Sequence, residues 1–349
     1  MTVGGDPAAL GQLLRSRRER LVPGDVGLTA GWAVAGGPAG GPAGGRRRRA
    51  SGLRREEVAL LANVSVTYYT YLEQGRPVRP SVQVLDALAS ALRMSAAERR
   101  YLHVLAYGPG GAGAEGAAGA AGAAGAAGAA GAAGAAGAPE RLDPAVDELV
   151  QRLEPFPSLV KGRRWDVLAA NPAARELFGD WGAGSGGERN LVRWMFTADQ
   201  AREIYLEWEP EARALLGRFR LAAAKHPDDP DVSALIAELL RDSEHVRDWW
   251  PRHDVAAIGS GSKKLRHPRL GPMMYSHVVL QVADSPDQTL VTYSPAIPGS
   301  GRSSALWRWR RHGASRKRLH RRHVTGSTRP EHGVPGGVLV AGTRTVIPR

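Results

Sequence analysis

Leu10, Leu13, Leu14 and Leu21 form an apolar stripe at i, i+3, i+4 spacing, with Arg15, Arg17, Arg18 and Arg20 largely outside it. This pattern predicts an amphipathic helix near the start of the chain. A second helix is expected over 53–62 and a third over 66–74, the latter burying Tyr69 and Leu72. Ala59 and Ala62 are small enough for the next helix to cross closely. Between them, Asn63 tolerates the left-handed backbone of a tight turn. Val64 points inward to lock the corner, and Ser65 suits the N-cap of the third helix. Gly75 ends that helix. Ser81 should cap a fourth helix carrying Val84, Leu85, Leu88 and Leu92. Ser95 should cap a fifth, with Glu98 completing a capping box.

The pattern changes further along. An amphipathic helix through Val146, Leu149, Val150 and Leu153 is stopped by Pro155, Phe156 and Pro157. Strand-like runs follow at 158–160 and 165–169. Two longer helices are expected over 198–225, with a break near Pro210, and over 231–248. Strands near 255–259, 273–282 and 289–294 finish the region. Helices followed by an antiparallel strand group imply an α+β domain after an all-α one.

Composition divides the chain into four parts. The helical domain, 8–107, is interrupted by a Gly/Pro/Ala insert at about 29–45, expected to be disordered. A Gly-Ala-Ala triplet then repeats within 108–138. Its repeats hold no proline, so a collagen helix is unsupported. Glycine at that density costs about 1 kcal/mol per site in a helix. The stretch therefore reads as a flexible tether that decouples its neighbours. Residues 140–298 have ordinary globular composition. From 299 to 349 the sequence is basic and aperiodic, as in a disordered tail. Such a run is also what a shifted reading frame in GC-rich DNA yields; the rival reading is a genuine nucleic-acid-binding arm.

The net charge of +13 is unevenly placed: the tail holds +11, residues 1–107 hold +7, and 108–298 hold −5. Only the middle figure belongs to a folded basic unit, so it alone bears on DNA. The chain has no cysteine, hence no disulfide framework and no thiolate chemistry, in keeping with a reducing cytoplasm. No apolar run approaches the roughly 18–20 residues that span a bilayer. Met1 to Asp6 does not read as a signal peptide. A cytoplasmic protein without a membrane role is expected.

The run GLRREEVALLANVSVTYYTYLEQGRPVRPSVQVLDALASAL resembles the Xre/lambda-repressor-like helix-turn-helix family, and the resemblance spans Leu10 to Tyr107. It departs from the family in the enlarged insert between the first two helices. The resemblance implies that helix 66–74 enters the major groove of double-stranded DNA with its N-terminal residues at base edges. Val66, Thr67, Thr70 and Tyr71 are then the base-contact candidates. Arg54, Arg55, Gln74, Arg76 and Arg79 suit phosphates, which supply affinity and register rather than sequence choice. The Arg46–Arg49 run is either a flexible arm to the DNA backbone or a solvated charge cluster. Pairing of such modules with two half-sites implies a homodimer.

The segments PSLVKGRRWDVLAANPAARELFGD, ERNLVRWMF and KKLRHPRLGPMMYSHVVLQVADSPDQTLVTYSPAIPGS resemble the ligand-binding domain of MmyB-like transcription regulators. The resemblance stops near Gly299–Ser300. It implies a PAS-like fold whose pocket takes a small apolar, fatty-acid-like ligand. Trp165, Trp194, Phe196, Trp208 and Tyr275 are candidates to line it, with Asn171, Arg193 and His253 as polar anchors. Each aromatic could equally be core, and Asn171 before Pro172 could equally cap a helix.

Catalytic readings fare poorly. Gly259–Lys264 lacks phosphate-loop spacing, and neither G-x-S-x-G nor H-E-x-x-H occurs. Asp228, Asp229 and Asp231 read as a helix start. His312, His320, His323 and His332 fall in the tail, where no defined metal site is expected. The expectation is a non-enzymatic, sequence-specific regulator with no cofactor and no metal. The alternative is a catalytic or redox PAS-like sensor using its helix-turn-helix to dock a protein.

Overall fold

A computed structural model describes residues 4–28, 52–108, 140–179, 181 and 189–296. The expected insert, the Arg46–Arg49 run, most of the Gly-Ala tether and the tail with its histidines lie outside the described residues.

Among the described residues, five α-helices make the first part: α1 (Pro7–Arg20), α2 (Arg55–Leu61), α3 (Val66–Glu73), α4 (Val82–Ala91) and α5 (Ala96–Tyr107). Their ends follow from side-chain caps. Asp6 accepts from the Ala9 amide, Ser65 from Tyr68, Ser81 from Val84, and Ser95 with Glu98 forms a reciprocal capping box. Asn63 sits at φ 52° and Gly75 at φ 68°, the two left-handed positions that bend the chain into and out of α3. Leu10, Leu13, Leu14, Val58, Tyr69, Leu72, Leu85, Leu88 and Leu102 fill the core. The Leu53 amide donates to the Arg18 carbonyl at 3.0 Å and so seats the entry to α2 beside α1. Gly11 is where α1 meets the end of α3: a Cβ there would lie 2.6 Å from the Glu73 carbonyl oxygen.

The second part starts with α6 (Pro144–Arg152), β1 (Ser158–Lys161), β2 (Val167–Ala170), α7 (Pro172–Phe178) and α8 (Leu191–Thr197). Then come α9 (Asp199–Ile204), α10 (Trp208–Ala223), α11 (Pro230–Asp242) and α12 (Glu244–Trp249). Strands β3 (Gly261–His267), β4 (Gly271–Val282) and β5 (Ser285–Pro295) complete it. The five strands form one antiparallel sheet in the order β2-β1-β5-β4-β3. One face carries α6 through Val150, Val160, Ala169 and Leu290. The other meets the remaining helices in a larger core holding Leu159, Phe178, Trp181, Trp194, Phe219 and Tyr293.

Several element boundaries differ from those the pattern predicts. The long helix over 198–225 is two helices, and its break lies at 205–207 rather than at Pro210. Tyr205 there pairs with Leu265, and the Leu206 amide donates to Lys264. Pro210 falls in the first turn of α10, where its missing N–H costs nothing. Ser243 splits 231–248 by capping α12. No strand forms over 255–259; Val255 and Ala256 lie against Gly217 of α10 instead. The strand is β3, whose buried positions are Lys263, Leu265 and His267, so its inward face has no apolar alternation to read.

The decoupling expected of the tether is not what the two parts display. Ser16 donates to the Arg252 carbonyl at 2.7 Å, and His253 Nε2 lies 3.1 Å from Gln12 Oε1. Arg17 and Arg20 both reach Asp254. Leu221 of α10 belongs to the core of the helical part. Among the described residues no helix is long and apolar enough to cross a membrane.

The close approach at Gly11 is testable. Gly11→Ala must push α1 off α3 and should cost about 1–3 kcal/mol in denaturant unfolding. Gly24→Ala, with nothing within 4 Å, should leave stability nearly unchanged.

Candidate nucleic-acid interface and ligand cavity

Helix α3 presents its N-terminal turn outward. Val66 and Thr67 are exposed; Thr70 and Tyr71 are half-buried. Thr70 Oγ1 donates back to the Val66 carbonyl at 2.8 Å, and Tyr71 carries the Arg76 guanidinium over its ring at 4.2 Å. Gln74 accepts from Arg76 at 3.1 Å, so the two form one unit at the end of α3. Arg54 is exposed at the start of α2, and Arg79 is exposed with its guanidinium 5.8 Å from the Tyr107 ring centre. These expected DNA contacts therefore share the α2–α3 corner and the loop after it.

Arg55 differs from the rest of that set because it has an internal partner. Its Nη2 lies 2.9 Å from Oε1 of Glu73, a carboxylate with only 1% of its side chain exposed. Arg18 of α1 reaches the same carboxylate at 2.8 and 2.9 Å, and its Nη1 donates to the Leu53 carbonyl. One buried acid thus ties α1, α2 and α3 together. Burial pulls the Glu73 pKa upward, but hydrogen bonds from Arg18 and Arg55 more than offset it and hold it below the ordinary carboxylate value. The reading of Arg55 as a phosphate contact missed this clasp.

The second part contains a cavity between the inner sheet face and α8 and α10. Its space, counted out through its mouth, is about 710 Å³. Leu159, Trp165, Phe178, Trp181, Trp194, Met195, Leu215 and Val291 give it apolar walls. Its polar groups are concentrated. Lys263 pairs with Glu211, and both line it. Lys161, 7% exposed, and Arg218 make no ion pair among the described residues. The Lys161 ammonium sits 3.9 Å from the Trp165 ring centre. Burial, reinforced by Arg218 and Lys225, pushes its pKa down to about 7. The indole N–H groups of Trp181 and Trp194, and Nδ1 of His277, are buried there without hydrogen-bond partners. The cavity can therefore hold an apolar body carrying an anion or other acceptors.

Of the residues expected to line this pocket, Trp165 and Trp194 do so. The others lie elsewhere for clear physical reasons. Asn171 is spent on structure: Oδ1 accepts from the Ser158 and Ala174 amides, and Nδ2 donates to Phe156. Arg193 forks onto Glu238 at 2.5 and 2.8 Å. Phe196 and Trp208 pack with Trp249 in a separate aromatic cluster. Tyr275 is fully buried, its hydroxyl directed at the Met273 sulfur. His253 faces α1 at Gln12, and burial next to Arg220, Arg17 and Arg20 pushes its pKa down to about 4. Lys161 and Arg218, the polar groups that distinguish the cavity, escaped the sequence reading. Lys161 ends a short strand that is buried along its whole length, and that was the available signal. Among the described residues no three His, Asp or Glu side chains are grouped as for a metal ion.

Comparison with known families agrees with this division. A family described as the MmyB-like transcription regulator ligand binding domain matches residues 142–323, and one described as a helix-turn-helix domain matches 45–102. The first match runs past Gly299–Ser300, where the resemblance was expected to end. No curated protein matches the chain.

Two predictions follow from the buried charges. Glu73→Ala leaves two arginines without their anion and should cost about 3–5 kcal/mol in denaturant unfolding. Because the folded Glu73 pKa is depressed, its contribution is present above the unfolded value near 4 and lost as pH falls through the folded one. The gap between wild type and Glu73→Gln should therefore close in acid. Lys161 has the opposite sign. Its folded pKa of about 7 lies below the free lysine value, so the unfolded chain binds more protons and stability should rise with pH between about 7 and 10. Lys161→Met should flatten that rise and stabilise the empty protein at pH 7 by about 1–3 kcal/mol, read by thermal unfolding across pH.

Proposed function

Because the chain belongs to the family defined by the MmyB-like transcription regulator ligand binding domain, we infer that it is a sequence-specific transcription regulator whose hold on double-stranded DNA responds to a small apolar acid. The observation that carries the ligand half is Lys161: a buried amine, its pKa pushed down to about 7, with no ion pair among the described residues and set among apolar walls. An unpaired buried charge is costly, and a carboxylate delivered by a ligand would complete it. With Arg218 beside it, the cavity suits a fatty-acid-like molecule, chain inward and carboxylate at the two cations. The antiparallel order β2-β1-β5-β4-β3 with helices inserted between β2 and β3 supports a PAS-like reading of the domain.

The DNA half rests on the exposed N-terminal turn of α3. Val66 and Thr67 offer apolar and hydroxyl contacts to base edges, while Arg54, Arg76 and Arg79 supply phosphate contacts. We read the regulator as a homodimer on two half-sites, acting in the cytoplasm, and as a sensor rather than an enzyme. The cavity's polar groups are suited to holding an anion, and we assign it no reaction.

Selection of DNA sites from a random pool tests the first half. Wild type should recover a site with two related half-sites. Thr67→Ala should change the preferred bases, whereas Arg54→Ala should weaken binding about equally on all sequences and lower the salt slope by about one. An unchanged motif with Thr67→Ala would overturn the base-contact assignment. Native mass spectrometry of the full chain tests the second half: a long-chain acid should accompany wild type and be lost from Lys161→Met.

A further inference from the structure

Lys161 lines more than the apolar cavity. A second space of about 920 Å³, its open mouth included, adjoins it and shares Lys161, Trp165, Ile258, Gly259 and Val279 as common walls. Beyond that shared wall the lining changes character. Arg100, Arg163, Lys225 and His226 face the groove, with Asp287 as the acid opposing them. Arg163 pairs with Asp229 at 3.0 Å, and His226 lies 3.1 Å from Asp287. Arg100 and Lys225 make no ion pair among the described residues, and the Arg163 Nε is buried without a hydrogen-bond partner. Glu140 is the remaining acid nearby, and its carboxylate already accepts from the Arg163 amide.

One stripe of α10 and the turn after it runs through both spaces. Glu211, Leu215 and Arg218 line the cavity, and Ala222 and Lys225 line the groove, at the three- and four-residue spacing of one helix face. The apolar cavity and the cationic groove therefore share one wall and one helix face. A free fatty acid would use only the first half: its single carboxylate is satisfied at Lys161 and Arg218, leaving Arg100 and Lys225 without an anion.

We propose that the full occupant is an apolar chain joined to a multiply charged, phosphate-bearing head, with the chain in the cavity and the head in the groove between Lys161 and Arg100. This rests on the reading of the cavity as a ligand site and sharpens the ligand class. It also gives the ligand a direct contact with the helical part, because Arg100 belongs to α5. Phosphate oxygens match this lining well, since arginine and lysine bind them with charge-assisted hydrogen bonds. An acyl thioester of coenzyme A and a lysophosphatidic acid share the required chemistry.

Titration calorimetry on the full chain, below the micelle concentration of each amphiphile, separates the possibilities. The probes are palmitate, palmitoyl-coenzyme A, palmitoyl-lysophosphatidic acid and coenzyme A alone. Wild type should bind at least one of the two phosphate-bearing amphiphiles at least tenfold more tightly than palmitate, and coenzyme A alone far more weakly. In Arg100→Glu and Lys225→Glu the ratio of the preferred amphiphile to palmitate should fall towards one, with folding verified by unchanged thermal unfolding. Preference for the coenzyme A conjugate over the lysophospholipid, or the reverse, names the source of the phosphate. Palmitate binding as tightly as both, or a ratio untouched by either substitution, overturns the two-part site while leaving the cavity reading intact. Failure of all four to bind overturns both.

Discussion

Helix α10 has to satisfy two cores at once, and the arrangement of the chain depends on its doing so. Its Leu215, Leu216 and Phe219 belong to the core behind the sheet, while Leu221 belongs to the core of the helical part. Between these demands sits Gly217, where a Cβ would meet the backbone of Val255 and Ala256 at 2.9 to 3.1 Å. The absence of a side chain lets the 255–256 segment lie flat on the helix. Arg220 then closes the junction from the other side. Its guanidinium covers the Trp250 ring at 3.9 Å, donates to the Trp250 carbonyl and approaches His253. Burial, opposed by Tyr101 of α5, leaves the Arg220 pKa below its ordinary value.

The charges that hold the molecule together are not of equal strength. The Glu73 clasp within the helical part is buried and satisfied from two arginines, the geometry in which losing a partner costs several kcal/mol. Asp254, which receives Arg17 and Arg20 across the junction, has 47% of its side chain exposed. Pairs of that kind are worth roughly 0–1 kcal/mol. By their ion pairs alone, α1, α2 and α3 are tied to one another more firmly than Asp254 ties them to the neighbouring part.

The helical part was legible almost residue by residue because its signals are local. Asn63, Ser65, Gly75, Ser81 and Ser95 each impose a backbone state on their own neighbours, and the structure places a turn or cap at every one. The second part resisted wherever distant contacts decide. The break at 205–207 exists because Tyr205 pairs with Leu265, sixty residues away in sequence. β3 carried lysine and histidine on its inward face, so its burial could not be read from apolar alternation. The ligand candidates fared worst for a related reason. Size and aromaticity picked out Phe196, Trp208 and Tyr275; Phe196 and Tyr275 fill the core, and Trp208, partly buried, packs against it.

Charge gives the sharper lesson, because here bulk and local values have opposite signs. Residues 108–298 carry a net −5, which predicts nothing cationic. Most of those acids are exposed, or are consumed by partners as Glu238 is by Arg193 and Asp229 by Arg163. Among the described residues, Lys161, Arg218 and Lys225 make no ion pair, and a strand end and one face of α10 bring them to one wall. Coulomb attraction between a ligand anion and such cations scales inversely with the local dielectric and with distance, not with the charge of the chain. Distant acids are screened over about 10 Å of ordinary buffer, whereas the Lys161 ammonium is shielded from solvent by burial. A cluster of unpaired cations therefore lies inside a domain that is negative overall, and only the pairing of individual side chains reveals it.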